Sequence, residues 1–243
     1  MKSLFAVIFT FLFLVLVMPV YLFTYIFKKK NPHKIALFEL RCVQWAFNVI
    51  MRGCGIKVNY SGDENIPKEP ALFISNHRGM FDILAAYAHM PDLTGFIAKD
   101  AIRKVPLLNF VMKRINCLFL NRKDPRQGLK TINESMELLK NGVSIFIFPE
   151  GTRSKNDDPS VLLPMHDGSF RPAKKLGVPV VPVSIIGSDT IFEKHIPWIR
   201  SGHISVRFGK PEYYADLSEE NKKHIGDYFS NVLTNMIKDD LTL

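Results

Sequence analysis

Hydrophobic and polar positions divide the chain into an apolar lead and an alternating remainder. From Ser3 to Phe27 no charged residue interrupts 25 positions, and Lys28, Lys29 and Lys30 come directly after. A helix needs about 20 apolar residues to cross the hydrocarbon of a bilayer, so this run predicts a membrane-attached helix. Only Lys2 precedes it, and the positive-inside bias therefore places the chain beyond Phe27 in the cytoplasm. A cleaved signal peptide fits poorly, because the run is long, ends on a basic cluster and shows no small-x-small cleavage site. Pro19 permits a kink, so a full span and a helix lying partly in one leaflet both suit the pattern.

A second helix is predicted over His33 to Ile50. Its apolar face is wide, Trp45 suits an interface, and Lys34, Arg41 and Arg52 are available to headgroups. Packing against a domain core explains the same pattern equally well. Beyond Gly55 the period changes. Short strand-like runs occur at Lys57–Tyr60, Ala71–Ser75, Gly95–Ala98, Cys117–Leu120, Val143–Phe148, Val180–Ile186 and His203–Phe208. Helical stretches lie between them at Phe81–His89, Leu107–Arg114, Arg126–Asn141 and Ser169–Leu176, and a last helix is predicted from Ser218 to Lys238. This alternation predicts an α/β fold: a largely parallel mixed sheet of about seven strands flanked by helices. The expected organisation is an N-terminal two-helix membrane anchor over residues 1–55 and an α/β domain over residues 56–243.

Charge sharpens the picture. The chain has 32 Lys and Arg against 23 Asp and Glu, a net charge of +9. Lys28 to Tyr60 holds seven basic residues and one acidic, Ala98 to Lys130 nine and two, whereas Glu212 to Leu243 holds three and seven. The basic excess thus sits near the apolar lead and mid-chain, and implies an anionic partner. Lipid headgroups of an anionic leaflet fit better than nucleic acid, because a membrane segment is present and no nucleic-acid motif is. Three cysteines, without a CxxC pair, read as reduced apolar fillers on the cytoplasmic side.

Two short blocks carry candidate chemistry, each directly after a strand-like run. In Asn76-His77-Arg78-Gly79-Met80-Phe81-Asp82, a carboxylate five residues after a histidine can hold one imidazole nitrogen protonated and leave the other free as a base. A capped turn entering a helix, with Ser75 and Asn76 as caps, is the structural alternative. In Phe148-Pro149-Glu150-Gly151-Thr152-Arg153-Ser154, Gly151 allows close backbone approach to a ligand and Arg153 offers a planar donor fork for phosphate. Glu150 is placed to accept from a substrate hydroxyl or to hold Arg153, and an ordinary turn with an internal Glu–Arg pair is the alternative. No GxSxG elbow, GxxxxGK phosphate loop or HExxH zinc helix occurs.

Together the two blocks resemble those of the glycerolipid acyltransferases, most closely the lysophosphatidic acid acyltransferases. Lys99, Pro106 and Phe119-Leu120-Asn121-Arg122 resemble that family's second motif, and Val178 to Val183 its fourth. The resemblance implies acyl transfer from acyl-CoA or acyl carrier protein to the sn-2 hydroxyl of 1-acyl-glycerol 3-phosphate, with no metal or other cofactor. It makes His77 the general base and Asp82 its orienter, and assigns Lys99, Arg122, Glu150, Gly151, Thr152 and Arg153 to substrate binding. A cell-membrane enzyme with its catalytic domain facing the cytoplasm is expected. The acyl chain is expected near the Leu107–Met112 apolar run, a stretch that core packing explains equally well. Other acceptors, such as glycerol 3-phosphate or a different lysophospholipid, and a non-catalytic anionic-lipid-binding protein are the alternatives. Three departures bear on headgroup and chain-length preference: Asn109, Asp167, and a somewhat long Lys155–His166 loop.

Overall fold

The computed structural model describes residues 1–27, 30–121 and 124–242. Helices α1 (Lys2–Phe27) and α2 (Pro32–Gly53) precede strand β1 (Ile56–Ser61). Then come β2 (Leu72–Ser75), α3 (Met80–His89), β3 (Thr94–Lys99), α4 (Pro106–Arg114), β4 (Leu118–Leu120), α5 (Pro125–Lys140) and β5 (Ser144–Ile147). The chain closes with α6 (Arg171–Leu176), β6 (Val180–Ile186), β7 (Gly202–Phe208), α7 (Glu219–Lys223) and α8 (Ile225–Thr242). All seven expected strands form, and they make one sheet in the order β1-β7-β6-β2-β5-β3-β4. Every neighbouring pair is parallel except β6 with β7.

The sheet is covered on both faces, which is why its central strands read as continuous apolar runs. Phe73, Phe96 and Phe146 point to one face, where the Phe96 and Phe146 rings stack with centroids 4.5 Å apart. Leu72, Ile74, Ile145 and Ile147 point to the other, against Ile132 of α5, Phe170, and Phe229 and Leu233 of α8. Alternation along each strand assigns the residues to these two cores.

The phenylalanine face is where α1 and α2 join the body. Leu40, Val43 and Ile50 of α2 enter that core, and Gln44 donates through Nε2 to the carbonyls of Tyr87 (2.9 Å) and Met90 (2.8 Å). Arg41 donates to the Pro91 carbonyl at 2.7 Å, so its guanidinium serves the end of α3. Phe38 and Trp45 face outward, so α2 combines both sequence readings: a packed face and an exposed apolar flank.

Helix α1 is the only element among the described residues long and apolar enough to cross a membrane. It does not stand apart from the domain. Ala6, Leu14, Val17, Tyr21 and Thr24 form a buried stripe at helical spacing, while Leu4, Val7, Phe11, Leu16, Phe23 and Ile26 face outward. The stripe ends on a polar lock. Tyr21 Oη donates to the Glu39 carbonyl at 2.5 Å, Thr24 Oγ1 donates to Glu39 Oε1 at 2.7 Å, and Arg114 of α4 pairs with the same carboxylate.

Two expected helices differ in outline. The predicted Ser169–Leu176 helix begins as a tight 3-10 turn over Asp167–Phe170 and becomes α-helical at Arg171. The predicted Ser218–Lys238 helix breaks at His224 into α7 and α8. The break frees the Gly226 N–H, which donates to Asp167 Oδ1 at 2.9 Å, and a Cβ there would lie 2.8 Å from the Met165 carbonyl oxygen. Asp167, a departure from the family pattern, thus caps α8.

Removing one partner of a buried ion pair costs far more than replacing both. Arg114→Leu should therefore destabilise the protein by about 3–5 kcal/mol in chemical denaturation, and adding Glu39→Leu should restore most of that loss.

Candidate active site

The two blocks meet because β2 and β5 are parallel neighbours, paired Leu72 to Ile145 and Ile74 to Ile147. Both strands leave the sheet at the same end, where ligands bind in open α/β sheets. Asn76 is the first residue past β2, and its fully buried amide closes on β6. Nδ2 donates to the Ile185 carbonyl (2.7 Å) and Oδ1 accepts from the Ile185 N–H (2.9 Å). This fixes the direction of the turn that carries His77.

Asp82 stands at the third position of α3, completely buried. Its Oδ2 accepts the backbone N–H of Arg78 at 2.7 Å and of Gly79 at 2.8 Å, and lies 2.8 Å from His77 Nδ1. An oxygen already receiving two donors is the acceptor in the third contact, so Nδ1 carries the proton and Nε2 is left with its lone pair. The imidazole stacks on Phe148, centroids 4.1 Å apart, and the side chain is 12% exposed. Its position is thus set by a carboxylate along one edge and an aromatic ring on one face.

The second block laces directly onto the first. The Ser154 N–H donates to the His77 carbonyl at 2.7 Å, and the His77 N–H donates to Glu150 Oε1 at 2.7 Å. Glu150 Oε2 accepts the Leu163 N–H at 2.8 Å, so this buried carboxylate ties three segments together. Burial pushes its carboxyl above the usual range, and the two backbone N–H bonds counter that only in part. Glu150 therefore does not hold Arg153, one of the two options read from sequence. Arg153 turns instead to Glu193, Nη1 to Oε1 2.7 Å, and remains half exposed. Gly151 has φ +72°, a left-handed conformation that a residue with a Cβ adopts at a cost. Thr152 is exposed beside it. Lys99 stands exposed at the end of β3, one strand beyond β5, and Arg122 lies outside the described residues.

Arg78 of the first block and three side chains outside both blocks, Asp189, Glu193 and Lys194, complete the frame. Buried Arg78 donates through Nη2 to Asp189 Oδ2 (2.8 Å) and to the Asn156 carbonyl (2.7 Å). Lys194 Nζ lies 3.0 Å from the same Asp189 oxygen. Burial works against the Asp189 charge, but Arg78 and Lys194 outweigh it and hold the carboxyl below its ordinary range. Glu193 Oε1 accepts the Met80 N–H at 2.8 Å as well as Arg153, joining the start of α3 to the second block. Both acids come after β6, the other parallel neighbour of β2, so the only sequence signal for them was a Gly-Ser-Asp turn at a strand end.

Between α1, α2, α3 and α4 lies an apolar cavity of about 710 Å³. Phe13, Phe47, Leu84, Phe96 and Val111 are among its lining, and it reaches Met80, three residues from His77. Leu108 and Met112, within the run expected to hold an acyl chain, also line it.

Residues 57–186, more than half of the chain, match the model of the family described as Acyltransferase. The chloroplastic 1-acyl-sn-glycerol-3-phosphate acyltransferase BAT2 of Brassica napus is 36% identical over 166 residues, covering 66% of this chain and 47% of that protein. A 1-acyl-sn-glycerol-3-phosphate acyltransferase of Saccharomyces cerevisiae is 30% identical over 210 residues, 85% of this chain and 66% of its own. The matched stretches thus span about half to two thirds of these relatives' length. The crystal structure of the 1-acyl-sn-glycerophosphate (LPA) acyltransferase PlsC from Thermotoga maritima superposes with a TM-score of 0.73 at 24% identity, covering 98% of each chain. That likeness establishes the fold.

A carboxyl held below its unfolded value contributes stability that is present above about pH 4 and fades as pH falls through its folded value. Asp189→Asn should therefore lower stability at pH 7, and the gap to the parent protein should narrow in denaturation at about pH 3.

Proposed function

The chain belongs to the acyltransferase family, and we propose that it transfers an acyl group from acyl-CoA or acyl carrier protein to the sn-2 hydroxyl of 1-acyl-glycerol 3-phosphate, giving phosphatidic acid. The observation that carries this reading is the His77–Asp82 pair, joined through backbone to the Glu150–Ser154 turn, near an apolar cavity that reaches Met80 and Phe81. The relatives named above point to the same acceptor.

In this reading His77 Nε2 takes the hydroxyl proton as the oxygen attacks the thioester carbonyl. A carbon–oxygen bond forms and the carbon–sulfur bond breaks. The leaving thiol, with a pKa of about 8–9, needs little acid assistance, and the imidazolium returns its proton to the thiolate or to water. Neither a metal nor a further cofactor enters the step. Asp82 keeps the Nδ1 proton in place and accommodates the positive ring that forms. Arg153, Lys99 and Arg122 neutralise the acceptor's phosphate, and Gly151 and Thr152 shape the turn beside it. Glu150 acts as a fastener of the two turns rather than as a substrate contact. The cavity takes the acyl chain, its size falling within the usual range for ligand pockets.

Attachment to the cell membrane, with the catalytic domain on the cytoplasmic side, is inferred from α1. Because its buried stripe runs from Ala6 to Thr24 along the domain, the outward face is best satisfied by lying within one leaflet. Basic residues near that surface would each add about 1 kcal/mol of attraction to anionic lipid.

Offering both donor types with a panel of acceptors, and reading products by mass spectrometry, tests the assignment. Phosphatidic acid should dominate; preference for a phosphate-free lysolipid would remove the phosphate roles. His77→Ala should lower turnover by roughly 10²–10⁴ while vesicle binding survives. Asp82→Asn should cost a similar factor, because an amide cannot accept all three donors at Oδ2. Unchanged turnover in His77→Ala would leave a non-catalytic lipid-binding protein as the better description.

A further inference from the structure

The connection between β6 and β7 forms a closed loop whose tip has no partner among the described residues. Its base is tied by the Arg200 N–H to the Ile191 carbonyl (2.8 Å), and its turn by the His195 N–H to the Phe192 carbonyl (2.9 Å). Ile191 and Ile199 are buried at the base, yet Ile196 is 63% and Trp198 60% exposed at the tip. Two large apolar side chains separated by a single proline, held outward on a closed turn, form more than scattered surface hydrophobicity.

Its surroundings indicate what covers the tip. The Ile199 N–H donates to Ser3 Oγ at 2.8 Å, fastening the loop to the first turn of α1, close to the outward-facing Leu4 and Ile8. Lys2 and Arg200 lie at the same junction, cationic groups beside apolar ones, the composition that suits the boundary between headgroups and acyl chains. Tryptophan favours that boundary. Pro197 and Ile199 also line the apolar cavity, so the loop stands at one of its walls.

We propose that the Glu193–Arg200 loop is a second membrane-inserting element, with Ile196 and Trp198 entering the leaflet beside the start of α1. The inference rests on the membrane attachment proposed above and goes beyond it. Two separated insertions fix the tilt of the domain on the bilayer, where one helix alone would leave it free to roll. The loop also carries Glu193, which holds both Arg153 and the Met80 N–H. Bilayer contact at the tip is therefore a few residues from the groups proposed to receive the acceptor's phosphate.

The sequence holds two tryptophans, Trp45 and Trp198, so Trp45→Phe in the full chain leaves Trp198 as the sole reporter. That protein is bound to vesicles of phosphatidylcholine and phosphatidylglycerol, some brominated high and some low on the acyl chain. Trp198 emission should shift to the blue and be quenched most by the shallow bromines. Ile196→Asp with Trp198→Asp should weaken vesicle binding by roughly tenfold or more at unchanged melting temperature. Co-sedimentation with water-like, unquenched Trp198 emission overturns the loop inference alone. Failure to co-sediment overturns the attachment reading and this inference with it. A blue-shifted but unquenched Trp198 in a dimeric species also overturns it, and identifies a second copy as the occupant of the tip.

Discussion

The parallel pairing of β2 with β5 is the constraint on which the rest of the site depends. Parallel neighbours end at the same edge of a sheet, so the segments beyond them must share space. The register Leu72–Ile145 and Ile74–Ile147 brings both strands to that edge in step. A slip of two residues would keep every side chain on its face but move one turn by about 6.6 Å against the other. The His77 N–H to Glu150 bond and the Ser154 N–H to His77 carbonyl bond, each 2.7 Å, would then be lost. A slip of β2 by one residue would also turn Phe73 out of the core it shares with Phe146. Hydrophobic register thus sets the position of the imidazole as firmly as its own hydrogen bonds do.

Much of this was legible in the chain because its determinants are local. All seven strands fall where short apolar runs stand between turn signals, and the Val180–Ile186 strand has the predicted bounds. The His77–Asp82 contact spans five residues across a helix start, a distance over which spacing alone constrains geometry. Long-range partners left no such trace. Glu150 is fixed by backbone groups of His77 and Leu163, and a backbone N–H has no sequence signature. Arg78 and Asp189 are 111 positions apart, and nothing in either segment indicates that β6 lies beside β2. The break between α7 and α8 was hidden because the apolar stripe continues through it. Helix α2 was ambiguous for the opposite reason, since its packed and outward faces are both apolar.

Burial without charge also explains why the phenylalanine face needs polar fasteners. Apolar helices packed in an apolar setting have little to fix their sliding or rotation, since one hydrocarbon contact replaces another at similar energy. Helix α1 meets this problem most acutely, being apolar on every side. The contacts of Tyr21, Thr24 and Arg114 with Glu39 supply direction where packing cannot. A buried pair of this kind adds little net stability compared with an apolar substitute, so its contribution is better understood as setting register.

That register reaches the site through the cavity. Its walls come from α1, α2, α3 and α4 together, and the Glu39–Arg114 pair joins α2 to α4, two of those walls. If α1 rotated by one residue, about 100°, the residues it gives to the cavity lining and those of its buried stripe would both be displaced. The lock therefore holds two surfaces at once: the lining beside Met80 and the apolar face turned away from the domain. On the proposed function these are the acyl-chain chamber and the bilayer contact. On the same proposal, that polar lock helps set how deep in the leaflet the reacting hydroxyl sits.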